Sequence, residues 1–124
     1  MSYSIQIEGS FSSAHKLTDY HGNCENLHGH NWKVVVEIKS SVLDNAGMLI
    51  DFGEAEKKLD KVLASFDHKY LNEVHPFDKI NPTAENISKH IFDVFSEIIN
   101  DNNRSVSKVT TWEDETSCAT YNDY

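Results

Sequence analysis

The chain has 124 residues, 39% hydrophobic and 25% charged, with a formal net charge of −9 at neutral pH. That length suits one domain with one core, residues 1–124, and leaves no room for a second. The negative balance opposes general binding to nucleic acid, and no run of about 18 apolar residues offers a membrane span.

The opening MSYSIQIEGSF lacks a basic segment followed by a long apolar core, so it does not read as a secretory leader. The expectation is a cytoplasmic protein whose two cysteines, Cys24 and Cys118, are reduced thiols. The net charge does not forbid a small phosphorylated substrate, because a pocket needs only a few local donors such as Lys16, Lys69 or Arg104.

In chain order, SIQIEGSFSSAH (4–15) places Ile5, Ile7 and Phe11 at odd positions, the periodicity of a strand. A polar stretch (16–27) rich in Gly and Asn follows. HNWKVVVEIK (30–39) then puts Trp32, Val34, Val36 and Ile38 on one face of a second strand. The two predict an antiparallel hairpin with a long, functional loop.

After a turn around Asn45–Gly47, residues 51–66 carry Phe52, Ala55, Leu59, Val62, Leu63 and Phe66 at helical spacing. Residues 67–82 read mostly as loop, punctuated by Pro76 and Pro82. Thr83 is placed to cap a second helix over 83–100, whose buried stripe is predicted to be Ile87, Ile91, Val94, Phe95 and Ile98. The end reads as two more strands around a turn at 114–117. The order is ββααββ, an α+β domain with a four-stranded sheet and both helices on one face. The other face is expected to be bare and apolar, which predicts oligomerisation.

Seven histidines are present, and three of them stand out. In a strand, residues i and i+2 point to one face, so His28 and His30 can aim at one point with their Cα atoms roughly 6–7 Å apart. Gly29 between them has no side chain to intrude. His15 ends the preceding strand, where hairpin pairing can bring it alongside. Three imidazoles with an open fourth position is the pattern of catalytic zinc. Cys24 is open to three readings: a fourth ligand that makes the site structural, a nearby base, or a small apolar filler.

Other candidates are weaker in isolation. Asp67 beside His68 can orient that imidazole for proton transfer near neutrality, or can be a solvated pair at a helix end. Glu113 ends an apparent strand, where a carboxylate can take two N–H groups of an amidine-like ring edge, although Asp114 and Glu115 make it equally an acidic turn.

Taken together, FSSAH (11–15), CENLHGH (24–30), GMLIDFGE (47–54), FDHKYLN (66–72), NPTAENI (81–87) and WEDETSCATY (112–121) resemble the 6-pyruvoyl-tetrahydropterin synthase family. They resemble most its branch that forms 6-carboxy-5,6,7,8-tetrahydropterin in queuosine biosynthesis, and they span almost the whole chain. The resemblance implies a tunnelling fold that assembles into trimers or hexamers with interfacial sites. It implies Zn2+ on His15, His28 and His30, Cys24 as catalytic base, and Asp67 with His68 as a proton-transfer pair. Glu113 matches the pterin anchor, with Glu115 as the competing position. The implied substrate is 7,8-dihydroneopterin triphosphate, with loss of triphosphate and acetaldehyde. The pyruvoyl-forming reaction is the runner-up. From other classes, a zinc-stabilised binding module needs a closed Cys–His₃ site. A Cys–His hydrolase using Cys24 and His68 leaves the other histidines unexplained.

Overall fold

The computed structural model describes residues 2–18 and 26–123; Cys24 lies outside the described residues. Two thirteen-residue strands, β1 (Tyr3–His15) and β2 (His28–Ser40), form the expected antiparallel hairpin. Their register runs from Tyr3 opposite Ser40 to His15 opposite His28. A side-chain period of two then commits one face to the core, and Ile7, Phe11, Trp32, Val34, Val36 and Ile38 are all buried there. β4 (Arg104–Trp112) pairs with β2, and β5 (Cys118–Asn122) pairs with β4, both antiparallel.

Two expectations about the sheet change. It has five strands in the order β3-β1-β2-β4-β5, because Lys69–Tyr70 form a short β3 parallel to β1 at Ser13 and Ala14. A 3₁₀ turn, Leu71–Glu73, follows it, so residues 67–82 are less irregular than their composition suggests. A strand of two residues is too short to leave a periodic signal.

The face away from the helices is uncovered, as expected, but it is mostly polar. Gln6, Glu8, Ser10 and Ser12 on β1 alternate with the core positions, as do Lys33, Glu37 and Lys39 on β2. The apolar half of each strand is already spent on the helix side, so the argument for assembly from an apolar face falls.

Both helices begin on side-chain caps. Asp51 accepts from the amide of Glu54 at the start of α1 (Phe52–Leu63), and Thr83 accepts from that of Asn86 at the start of α2 (Ala84–Ile99). α1 packs on β1, where Gly9 permits the approach: a Cβ there would come within 2.8 Å of Leu63 Cδ1. α2 packs on β4 and β5, with the Ser88 hydroxyl bridging the Thr111 hydroxyl and the Ala119 carbonyl. The helix stripes differ from expectation at their margins. Phe52 is 57% exposed and Ile98 43% exposed, whereas Phe92 and Ile99 are buried. The stripe of α2 runs through positions 84, 87, 88, 91, 92, 95 and 99, which leaves Ile98 beyond its trailing edge. No helix among the described residues is long and apolar enough to cross a membrane.

His90 of α2 sits half-buried between the rings of Phe66 and Phe77, with centroids 5.7 and 5.5 Å away. Burial holds its imidazole below the usual value, helped by His75 and Lys89 and opposed by Asp93. The folded chain therefore binds this proton more weakly than the unfolded chain. Stability should fall as pH drops below about 6.5, and the fall between about pH 7 and 5 should be shallower in His90→Gln when followed by denaturant melts. Gly9→Val should cost about 1–3 kcal/mol in the same assay, because Leu63 must move to admit the side chain.

Candidate metal centre and active site

The end of the hairpin builds the site. His15 and His28 are direct cross-strand partners, and His30 lies two residues along on the same face of β2. All three rings gather edge-on, with centroids 4.6 Å apart for His15–His28 and His28–His30 and 5.3 Å for His15–His30. Trp32, fully buried and stacked on Phe11, forms the apolar floor beneath His15 and His30.

The hydrogen bonds around the rings fix their tautomers. His15 Nδ1 lies 2.8 Å from the carbonyl of Pro82, and His28 Nδ1 lies 2.9 Å from the carbonyl of Asn26. A carbonyl can only accept, so each Nδ1 carries a proton, and in a neutral ring Nε2 then presents a lone pair. Those two Nε2 atoms face each other at 3.1 Å, a distance at which they can share a proton or ligate one cation. Burial pushes the His15 imidazole below its usual value, with Pro82 and Glu113 opposing the shift. Burial thus favours the neutral form that ligates a metal.

Glu113, the first residue after β4, brings its carboxylate to the same point. Its Oε1 lies 2.8 Å from His30 Nε2, 3.6 Å from His15 Nε2 and 3.7 Å from His28 Nε2. The 2.8 Å contact is not aligned as a hydrogen bond, and His30 Nε2 is buried with no hydrogen-bond partner. Atoms that approach closely without pointing at one another fit ligands converging on a shared ion. The four donor atoms lie within 4.8 Å of one another, and the four residues can hold a metal ion.

Asp67 and His68 are tied to β1 at Ser12. The Ser12 amide donates to Asp67 Oδ1 at 2.8 Å, and the His68 amide donates to the Ser12 carbonyl at 2.6 Å. Asp67 Oδ2 lies 3.0 Å from His68 Nδ1, which leaves the far nitrogen of that ring facing outward. The Ser12 amide, with His68 beside it, holds the Asp67 carboxyl below its usual range, so it is ionised at neutral pH. His68 has φ of 56°, the left-handed region that a non-glycine residue enters at some cost. Its side chain shares a cleft of about 490 Å³ with His30, Asn31 and Lys69. Ser12 itself projects on the sheet face opposite to His15, and Asp67 and His68 are not among the residues whose donor atoms converge with the imidazoles.

Several functional contacts had no individual signal in the sequence. The Asn72 side chain accepts from the Lys16 amide and donates to the Lys16 carbonyl, and Asn81 does the same for Thr18. These two amides clamp the chain as it leaves His15, and Pro82 next to Asn81 sets the tautomer of that ligand. Both asparagines stand in the quoted motifs FDHKYLN and NPTAENI, but spacing alone assigns them nothing. The carbonyl of any residue can serve where those of Asn26 and Pro82 do, so no side chain marks them.

On the other side of His30, a cleft of about 620 Å³ is lined by Lys33, Trp112, Glu113, Asp114 and Glu115. Lys33 lies over the Trp112 ring at 5.2 Å. Glu113 and Glu115 therefore share a cleft, and of the two only Glu113 joins the imidazoles.

Residues 4–123 match the profile of the family described as 6-pyruvoyl tetrahydropterin synthase. A 6-carboxy-5,6,7,8-tetrahydropterin synthase of Haemophilus influenzae is 31% identical over an alignment of 141 residues, covering 96% of this chain and 98% of that protein. An Archaeoglobus fulgidus protein provisionally given the same name is 43% identical over 93 residues, 75% of this chain and 76% of its own. Among solved structures, the 6-pyruvoyl tetrahydropterin synthase of Caenorhabditis elegans superposes with a TM-score of 0.84 at 25% identity, covering 100% of this chain and 97% of that one. Fold, motifs and profile agree, and the chain belongs to the 6-pyruvoyl tetrahydropterin synthase family of pterin synthases, with its tunnelling fold.

Proposed function

We propose that the protein is a zinc-dependent 6-carboxy-5,6,7,8-tetrahydropterin synthase. It takes 7,8-dihydroneopterin triphosphate, releases triphosphate and acetaldehyde, and serves queuosine synthesis. The observation that carries the metal-dependent chemistry is the convergence of donor atoms from His15, His28, His30 and Glu113 within 4.8 Å of one another. The names of the Haemophilus and Archaeoglobus relatives support the carboxy-forming branch, as does the compact CENLHGH spacing. The Caenorhabditis structure supports the second reading, a 6-pyruvoyl-tetrahydropterin synthase that stops before carbon–carbon cleavage.

His15, His28 and His30 would hold zinc, which would supply a Lewis acid at the substrate's side-chain hydroxyls. Cys24 is the base that removes a proton from the carbon beside the ring. His68, oriented by the ionised Asp67, exchanges the opposing protons through its far nitrogen. The pterin ring enters the cleft walled by Trp112, where Glu113 or Glu115 can receive two ring N–H groups. The triphosphate is directed toward the cleft containing Lys69, whose lining carries no carboxylate.

The assembly we infer is a homo-oligomer with sites between subunits. Among the described residues, β5 is paired on one edge only, and β3 covers β1 only at Ser13 and Ala14. Long free edges beside a polar uncovered face suit copies joined strand to strand around a wet interior. Within such a ring, His68 of one copy can serve the metal centre of the next.

Incubation with 7,8-dihydroneopterin triphosphate should yield 6-carboxytetrahydropterin and acetaldehyde, and chelator treatment should abolish turnover until zinc is restored. A pyruvoyl product without acetaldehyde would establish the second reading instead. Cys24→Ala should keep stoichiometric zinc and lose about 10²–10⁴-fold in kcat. Loss of the metal along with the thiol would make Cys24 a ligand rather than a base.

A further inference from the structure

The sequence leads to an open fourth position at the metal. The geometry points to a closed one. We propose that Glu113 is a fourth protein ligand in the enzyme without substrate, and that its carboxylate must swing into the adjoining cleft before a substrate can reach the ion. This rests on the zinc reading above and adds a step of gating by one side chain.

Bonds of about 2.0–2.1 Å in tetrahedral geometry separate neighbouring ligand atoms by about 3.3–3.4 Å. Four of the six separations scatter around that value: 3.1 Å for the Nε2 atoms of His15 and His28, and 2.8, 3.6 and 3.7 Å from Glu113 Oε1 to His30, His15 and His28, with all four atoms within 4.8 Å of one another. A carboxylate held merely by a protonated imidazole would settle into an aligned hydrogen bond. Instead His30 Nε2 remains buried and unsatisfied beside it. The donor set is three imidazoles and one carboxylate, hard and borderline ligands that suit zinc.

The ligands are not equally free to leave. His15, His28 and His30 stand on β1 and β2, where strand pairing holds their backbone; His15 is 1% and His30 19% exposed, while His28, at 32%, is held by its place in the strand rather than by burial. Glu113 is the first residue of a turn, held in backbone by its amide donating to the Ser117 carbonyl at 3.0 Å. Its side chain is 32% exposed and borders the 620 Å³ cleft beside Trp112. Rotation about its side-chain bonds alone takes the carboxylate off the imidazoles and into that cleft, with no change in the sheet. The same rotation makes it available to the ring N–H groups of a pterin lying there, so opening the metal and gripping the substrate become one movement.

Two measurements test this. In crystals of the zinc-loaded protein without substrate, a Glu113 oxygen should lie about 2.0–2.2 Å from the ion. With a pterin bearing a vicinal-diol side chain soaked in, that oxygen should have moved away. In solution, Glu113→Gln should lower cobalt(II) affinity about 10–100-fold in chelator competition and replace the intense visible band of a four-coordinate protein-ligated site by a weaker one; Glu115→Gln should leave the spectrum unchanged. A water in the fourth position of the zinc crystal, or a Glu113→Gln spectrum and affinity equal to wild type, overturns the proposal while leaving the zinc reading intact. Failure of the wild-type protein to bind stoichiometric zinc or cobalt overturns both.

Discussion

The structure turns on the register that holds three imidazoles at one point. Two backbone carbonyls, from Asn26 and Pro82, each accept from an Nδ1, and the pairing of His15 with His28 then sets their Nε2 atoms 3.1 Å apart, close enough to share a proton or ligate one cation. His15 cannot turn away without abandoning a buried hydrogen bond and its contact with Trp32. The chain holds this arrangement in place through thirteen cross-strand pairs between β1 and β2. A slip of one residue would send the imidazoles to the opposite face together with the core side chains, so fold stability and ligand geometry are set by the same register.

Around that fixed point the molecule divides into parts that cannot move and parts that can. The sheet, the two capped helices and the clamps by Asn72 and Asn81 fix the path of the chain on either side of His15. Asp67 is fixed as well, because its oxygens are taken by the Ser12 amide and by His68. By contrast, His68 is highly exposed, and Glu113 sits at the rim. The imidazole cluster itself runs from interior to rim, with His15 buried, His30 partly so and His28 as exposed as Glu113.

Much of this was legible in the sequence, for reasons that can be named. Alternation in 4–15 and 30–39 fixed the hairpin because each strand has one buried face, and the HGH spacing then put two imidazoles on that face by arithmetic. The cap Thr83 was readable because capping is local, and Asp51 caps the first helix in the same way. What escaped were features that depend on neighbours distant in the chain. The parallel pairing of Lys69–Tyr70 with Ser13–Ala14 joins residues more than fifty apart and has no pattern of its own. The polar character of the uncovered face was present in Gln6, Glu8, Lys33 and Glu37, but the expectation of a bare sheet had been drawn from the count of helices. Glu113 was singled out correctly as a strand-end carboxylate, while its position against the imidazoles came only from the β2–β4 register.

The charge of the chain takes on meaning through its distribution. A net −9 would repel a polyanionic substrate at long range, but the clefts on the two sides of His30 are unlike. One is lined by His68, Lys69, Asn31 and small residues without a carboxylate; the other carries Glu113, Asp114 and Glu115 beside Trp112. Both clefts nonetheless mix signs, because Asp67 bonds the His68 that lines the first and Lys33 lines the second beside the carboxylates. What separates them is the run of three acidic residues at 113–115, which on charge alone favours N–H-donating or cationic groups in the second cleft.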